Sequence, residues 1–122
     1  MPQASLRVLV VDDDPVIRML LGELLEDYSV SLFASAVDAL ADIAVHGTPH
    51  MIVSDVVMPV MDGPTFYARL SPEQQSRTVF MTGGCSWDTE AHLKTLGRPI
   101  LCKPFSFSHL RNLISAESAH SE

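Results

Sequence analysis

Four short stretches of the sequence place polar or charged side chains directly after runs of apolar residues. Carboxylates that lie close together repel one another, and a divalent cation that prefers oxygen ligands relieves this repulsion. Mg²⁺ suits such a pocket because it takes one or two carboxylates and keeps water molecules and a phosphate oxygen as further ligands. The residues concerned are Asp12, Asp13 and Asp14 after the first run, then Asp55, then Thr82, then Lys103. The pattern predicts a magnesium site wherever the fold brings these stretches together.

The elements that must position these residues alternate between short apolar runs and segments of helical spacing. Runs rich in Val, Leu and Ile predict buried strands at 6–11, 30–33, 51–54, 78–81 and 100–102. Apolar residues at helical spacing predict helices at 15–25, 35–45, 64–70, 88–96 and 106–116. This alternation indicates an α/β fold with a parallel sheet and helices on both faces. Ligands of such sheets bind beyond the carboxyl ends of the strands, where the candidate residues lie.

Local signals account for some of the polar residues without any functional role. Asp14 is predicted to cap the first helix, with Pro15 at the first helical position, and contact with the hydration shell of a metal is its alternative role. The pair Asp62-Gly63 is typical of a turn. Gly47 is expected to end the second helix.

Composition and charge limit the class of protein. A chain of 122 residues suits one domain, and a formal net charge of −7 argues against a nucleic-acid-binding module, which needs a basic face. No apolar run approaches the length that spans a bilayer. Cys85 and Cys102 are too few for a disulfide framework and have no zinc spacing. They are interpreted as reduced thiols, which predicts a cytoplasmic location.

Four segments, in chain order, resemble the signatures of the receiver domains of two-component response regulators. They are Val8 to Pro15, Asp55 to Pro59 with Met61-Asp62-Gly63, Met81-Thr82-Gly83, and Lys103-Pro104-Phe105. Each segment lies at a predicted strand end and at the spacing of that family. The resemblance implies a flavodoxin-like, doubly wound (βα)5 fold with a five-stranded parallel sheet of order 2-1-3-4-5. It also implies a single domain over residues 1–122, with its core at about 6–116 and a polar tail at 117–122.

The resemblance implies roles in phosphoryl transfer for three residues. Asp55 would accept a phosphoryl group from a phosphohistidine donor, since a carboxylate is a competent nucleophile for forming an aspartyl phosphate. Thr82 would hydrogen-bond one phosphoryl oxygen, and Lys103 would pair with another. The implied partners are a histidine kinase or a histidine phosphotransfer protein, and a weak homodimer is compatible with the family. The chain would be an enzyme only in assisting its own phosphorylation and dephosphorylation.

The resemblance also implies the metal ligands. Asp12, Asp13, Asp55 and the backbone carbonyl of Val57 would hold Mg²⁺, directly or through water. A phosphatase of the haloacid-dehalogenase type also uses a strand-end aspartate. That family requires a second aspartate two residues later, where this chain has Val57, so the phosphatase alternative is set aside.

One departure from the family pattern bears on output. Many receivers carry Tyr or Phe three residues before the lysine, where this chain has Ile100, and this places the usual output surface in doubt. The run from Phe80 to Gly84 resembles receivers attached to hybrid sensor histidine kinases. A degenerate receiver that only docks partner proteins is the alternative function. A stand-alone receiver and a segment of a longer protein both fit the sequence.

Overall fold

Five parallel strands form one sheet, and their carboxyl ends share one edge. The computed structural model describes residues 6–83, 91, 93–102, 108, 110 and 112. The strands are β1 (Arg7–Val11), β2 (Ser29–Phe33), β3 (Met51–Asp55), β4 (Thr78–Thr82) and β5 (Ile100–Cys102). Their spatial order is β2-β1-β3-β4-β5, and every neighbouring pair is parallel. The predicted fold class and the order 2-1-3-4-5 are confirmed.

Burial of the strands follows their place in the sheet. All residues of β3 and β4 are buried, whereas β2 at the edge has only exposed and half-buried residues. Side chains from the two faces of the sheet enter separate apolar clusters, because successive strand residues point to opposite faces. One cluster contains Val10, Leu21 and Val53, and the other contains Leu9, Ile52 and Phe66. The central strands are therefore fixed from both sides.

Polar N-caps begin the helices of the described chain. The helices are α1 (Pro15–Leu24), α2 (Ala36–His46), α3 (Gly63–Ala68) and α4 (Pro72–Gln75). Asp14 caps α1 by accepting a hydrogen bond from Val16 N at 2.9 Å, as predicted. Asp62, predicted only as a turn residue, caps α3 by accepting from Thr65 N at 2.9 Å. Gly47, with φ of 85°, ends α2 as predicted.

The sequence did not predict α4, and two predicted helices lie largely outside the described residues. Within the segments predicted at 88–96 and 106–116, Ala91, Leu93 and Lys94, and Ser108, Leu110 and Asn112, are helical, whereas Thr95 and Leu96 lie in a turn. Leu93 and Leu110 are buried in apolar clusters on the sheet. The predicted polar tail lies outside the described residues.

The oxidation state of one cysteine differs from that predicted from the sequence. Cys102, at the end of β5, is disulfide-bonded, so its interpretation as a reduced thiol is wrong. Spacing alone could not show this, because disulfide formation depends on the distance between sulfur atoms in the folded chain. The second cysteine, Cys85, lies outside the described residues. Over the described ranges, none of the helices is long and apolar enough to cross a membrane.

Candidate functional site

The sheet order brings the predicted site residues from three strands to one edge. Asp12 follows β1 directly, Asp55 is the last residue of β3, and Thr82 is the last residue of β4. Strand β3 lies between β1 and β4, with Val11 paired to Ser54 and Asp55 paired to Met81. The order of the strands reverses between β1 and β3, which is where ligands of doubly wound sheets bind.

Three aspartates form an acidic cluster at this edge. One carboxylate oxygen from each of Asp12, Asp13 and Asp55 lies within 4.8 Å of the others. Asp12 and Asp55 are buried, at 0% and 7% exposure, whereas Asp13 is exposed to solvent. Three carboxylates at this separation repel one another strongly unless a cation lies between them. Hard oxygen ligands around an opening to water fit Mg²⁺, which retains several water molecules.

Hydrogen bonds fix Asp12 at three of its atoms. Its backbone N–H donates to the carbonyl of Phe33 at 3.0 Å. Its Oδ1 accepts from the backbone N–H of Asp14 at 2.9 Å, and its carbonyl accepts from Arg18 Nη1 at 2.8 Å. A buried carboxylate held in this way has little freedom to turn away from the cluster.

Asp55 is held by the backbone that follows it. Its Oδ1 accepts from Val56 N at 2.9 Å, and its carbonyl accepts from Ser54 Oγ at 2.9 Å. The chain then returns, because Gly63 N donates to the carbonyl of Val56 at 2.8 Å. A Cβ atom on Gly63 would lie 2.5 Å from the carbonyl oxygen of Asp55, so only glycine allows this approach.

The other predicted site residues differ in how far the structure describes them. Thr82 is buried, at 1% exposure, on the strand next to Asp55. Val57 lies two residues beyond Asp55 and is 75% exposed. Lys103 lies outside the described residues.

Sequence reasoning missed two residues that shape the site. Arg18 belongs to the helical pattern of α1, and nothing in that pattern shows that its guanidinium reaches the carbonyl of Asp12. Gly63 was interpreted as a turn residue, although its close approach to Asp55 is what requires glycine. The Asp62-Gly63 pair after a strand-end aspartate could have indicated the role of Gly63. Nothing in the sequence indicated the role of Arg18.

The architecture defines an α/β domain with an acidic cluster at the carboxyl edge of its sheet, and comparison with known proteins identifies its family. The profile of the response regulator receiver domain matches residues 8–115. The response regulator Rre1 of Synechocystis sp. is 33% identical over an alignment of 126 positions, which covers 94% of this chain and 54% of that protein. The structure of the chemotaxis response regulator CheY4 of Vibrio cholerae is similar with a TM-score of 0.77 at 30% identity, covering 92% of this chain and 98% of that one.

A third relative is a kinase. The sensor histidine kinase TmoS of Ectopseudomonas mendocina is 30% identical over an alignment of 122 positions, which covers 93% of this chain and 12% of the kinase. The chain thus spans about half the length of Rre1 and a small part of TmoS. It belongs to the response regulator receiver domain family of two-component signalling, and the similarity to TmoS supports its predicted resemblance to receivers of sensor kinases.

Proposed function

We propose that the domain accepts a phosphoryl group on Asp55 from a phosphohistidine donor, in a reaction that depends on Mg²⁺. The observation that carries this proposal is the acidic cluster, in which the carboxylate of Asp55 lies within 4.8 Å of those of Asp12 and Asp13. One carboxylate of such a cluster can act as the nucleophile while the others bind the cation. The sheet edge supplies the opening that a phosphoryl donor needs.

Asp12 and Asp13 would hold Mg²⁺ together with Asp55 and the backbone carbonyl of Val57. The cation would neutralise charge on the phosphoryl oxygens when bound. Asp12 and Asp13 differ in exposure to solvent, which suits different roles in holding the cation. Buried Asp12 is held rigidly by its hydrogen bonds, whereas exposed Asp13 can meet the hydrated cation directly.

The remaining residues would bind the transferred group. The nucleophilic oxygen of Asp55 attacks phosphorus, the bond to the donor nitrogen breaks, and the histidine leaves with the electron pair. Thr82 would donate its hydroxyl to one phosphoryl oxygen, and Lys103 would pair with another. Burial of Asp55 and Thr82 favours these interactions, since water competes poorly for partly enclosed charges.

The proposed setting follows from the family. We propose a single receiver domain over residues 1–122 with its core at about 6–116, acting in the cytoplasm with a histidine kinase or histidine phosphotransfer protein as partner. The similarity to TmoS, a sensor histidine kinase, supports a kinase as partner. The proposed location follows from the family alone, because the disulfide of Cys102 removes the argument from reduced thiols. Self-catalysed phosphorylation and dephosphorylation would be the only enzymatic activity of the domain.

The test is phosphorylation by a small donor. The protein is incubated with acetyl phosphate, with Mg²⁺ or with excess chelator, and its intact mass is measured. We expect a phosphoadduct only with Mg²⁺, and peptide mapping should place it on Asp55. Asp55→Asn is the matched control, because it keeps the shape of the side chain and removes the nucleophilic charge.

Two outcomes contradict the proposal. Undiminished labelling of Asp55→Asn would place the phosphoryl group elsewhere, and equal labelling with chelator would remove the role of Mg²⁺. No adduct in any form, together with retained binding to a partner kinase, would favour the docking-only alternative.

A further inference from the structure

Arg18 is a cation beside the acidic cluster to which the proposed phosphoryl chemistry assigns no role. It lies in α1, where its own N–H donates to the carbonyl of Asp14 at 3.1 Å. Its side chain is half-buried and turns back toward the end of β1, where Nη1 donates to the carbonyl of Asp12 at 2.8 Å. A hydrogen bond from a charged donor is stronger than one between neutral groups.

This contact fixes one of the two peptide groups that flank Asp13. A peptide unit is planar, so the carbonyl of Asp12 and the N–H of Asp13 move as one rigid group. Arg18 holds that carbonyl. The next peptide unit contains the N–H of Asp14, which donates to the carboxylate of Asp12 at 2.9 Å. Both planes that orient the Cα–Cβ bond of Asp13 are therefore held, although Asp13 itself is exposed.

We propose that Arg18 is a positioning residue, which orients the exposed Asp13 carboxylate toward the cation site by holding the Asp12–Asp13 peptide. The inference rests on the proposed magnesium-dependent function. It assigns the preorganisation of the exposed ligand to a side chain that does not touch the cation. Residues that orient metal ligands typically change metal affinity by about 10- to 100-fold when removed.

The charge of Arg18 should weaken Mg²⁺ binding, whereas its positioning effect should strengthen it. A guanidinium near the cluster repels a divalent cation, so loss of the charge alone would tighten binding. The site opens to solvent at the exposed Asp13, so water and salt screen this repulsion on that side. We expect the positioning effect to be the larger one, and the two effects predict opposite signs for the same substitution.

Magnesium titration by calorimetry separates the two effects. We expect Arg18→Gln to weaken Mg²⁺ binding by about tenfold, and Arg18→Lys, which keeps the charge but loses the planar fork of donors, to weaken it by a smaller factor. Arg69→Gln is the matched control for the change in net charge, because Arg69 is exposed and follows the last residue of α3. We expect Arg69→Gln to bind Mg²⁺ as the unmodified protein does.

A second measurement uses the metal-free protein. Order parameters from ¹⁵N relaxation should fall at the amide of Asp13 in Arg18→Gln and stay unchanged at Asp38, the residue whose N–H donates to the cap Ser35 of α2. A role confined to stability would lower the free energy of unfolding without changing the order parameter of Asp13 or the dissociation constant of the folded protein.

The outcomes distinguish this inference from the function on which it rests. If the unmodified protein binds no Mg²⁺, the proposed function fails and the inference fails with it. If the unmodified protein binds Mg²⁺ and Arg18→Gln binds it equally well or more tightly, only the positioning role is overturned. Weakened binding together with a lower order parameter at Asp13 supports it.

Discussion

The two ends of the sheet use charge in opposite ways. At the amino ends of the strands, three arginines donate to backbone carbonyls: Arg7 to His46 at 3.1 Å, Arg77 to Pro49 at 3.0 Å, and Arg98 to Thr78 at 2.8 Å. At the carboxyl ends, three carboxylates of the same sign lie within 4.8 Å of one another. Cations paired with carbonyls stabilise the fold, whereas gathered anions destabilise it until a ligand binds.

This contrast indicates a division between stability and function along each strand. Substitutions at the amino ends should change the free energy of unfolding and leave metal binding intact. Substitutions at the carboxyl ends that remove a carboxylate of the acidic cluster should weaken metal binding and leave the metal-free fold as stable or more stable. Four experiments test the division.

The largest effect is expected from Gly63→Ala. The new Cβ would meet the carbonyl oxygen of Asp55 at 2.5 Å, so the backbone must shift. We expect a loss of about 2–3 kcal/mol in the free energy of unfolding, measured by urea denaturation, and a clear loss of Mg²⁺ affinity. Gly47→Ala is the control, because Gly47 has a φ of 85° but no atom within 4 Å of the place that a methyl group would occupy. It should lower stability by about 1–3 kcal/mol, because φ of 85° with ψ of −179° is open almost only to glycine, and leave Mg²⁺ affinity unchanged.

Asp13→Ala should affect Mg²⁺ affinity and not stability, whereas Asp14→Ala should affect stability and hardly change Mg²⁺ affinity. Removal of the Asp13 carboxylate should weaken Mg²⁺ binding by about tenfold and leave the metal-free stability equal or higher. Removal of the Asp14 cap should cost about 1 kcal/mol of stability and change Mg²⁺ affinity little. Calorimetric titration and urea denaturation of both variants provide the measurements. Equal losses of affinity would mean that the two adjacent aspartates are misassigned.

Arg77→Met tests the amino end. Arg77 Nη1 donates to the backbone carbonyl of the buried Pro49 at 3.0 Å, and Arg77 Nη2 donates to Glu73 Oε1 at 2.8 Å. Loss of the charged donor should lower the free energy of unfolding by about 1–3 kcal/mol with unchanged Mg²⁺ affinity. Glu73→Gln is the control, since its carboxylate is 65% exposed and should contribute less than about 1 kcal/mol. An altered magnesium dissociation constant in Arg77→Met would contradict the separation of stability at the amino ends from metal binding at the carboxyl ends.

The smallest expected effect is a gain of stability at the carboxyl end. Val60 has φ of 70°, a conformation that a β-branched residue adopts at a cost, and its side chain is 99% exposed. Val60→Asn should raise the free energy of unfolding by about 0.5–1 kcal/mol, because asparagine tolerates this conformation better. The same substitution at Val57, also exposed, should change stability by less than about 0.5 kcal/mol. Thermal unfolding of both variants makes the comparison, and equal changes would exclude backbone strain as the cause.

The strands and the cluster could be predicted because they depend on short patterns. Apolar runs that end in aspartate, as at Val11 and Asp12, mark buried strands that stop at a polar edge, and a parallel sheet brings such edges together. The order of the strands came from the resemblance to a family, since no local pattern specifies which strands are neighbours. The cap at Asp14 is local too, and it was predicted correctly.

The features that were missed depend on contacts between distant segments or on a signal that was overlooked. The reach of Arg18 to Asp12 and the approach of Gly63 to Asp55 exist only in the folded chain. The disulfide of Cys102 likewise requires a sulfur atom brought close by folding. The short helix α4 was predictable, because Ser71 and Gln74 form a capping box whose spacing is visible in the sequence.

The acidic cluster spans β1 and β3, so the point in folding at which these strands pair decides when a bridging cation could bind. The chain completes β2 and α2 between these two strands, so Asp12 and Asp55 come together only after a long loop has closed. Chains in which β1 and β3 have not yet paired lack the complete cluster. A cation that bridges both aspartates would therefore bind the paired form alone and, by mass action, raise its population over partly folded forms.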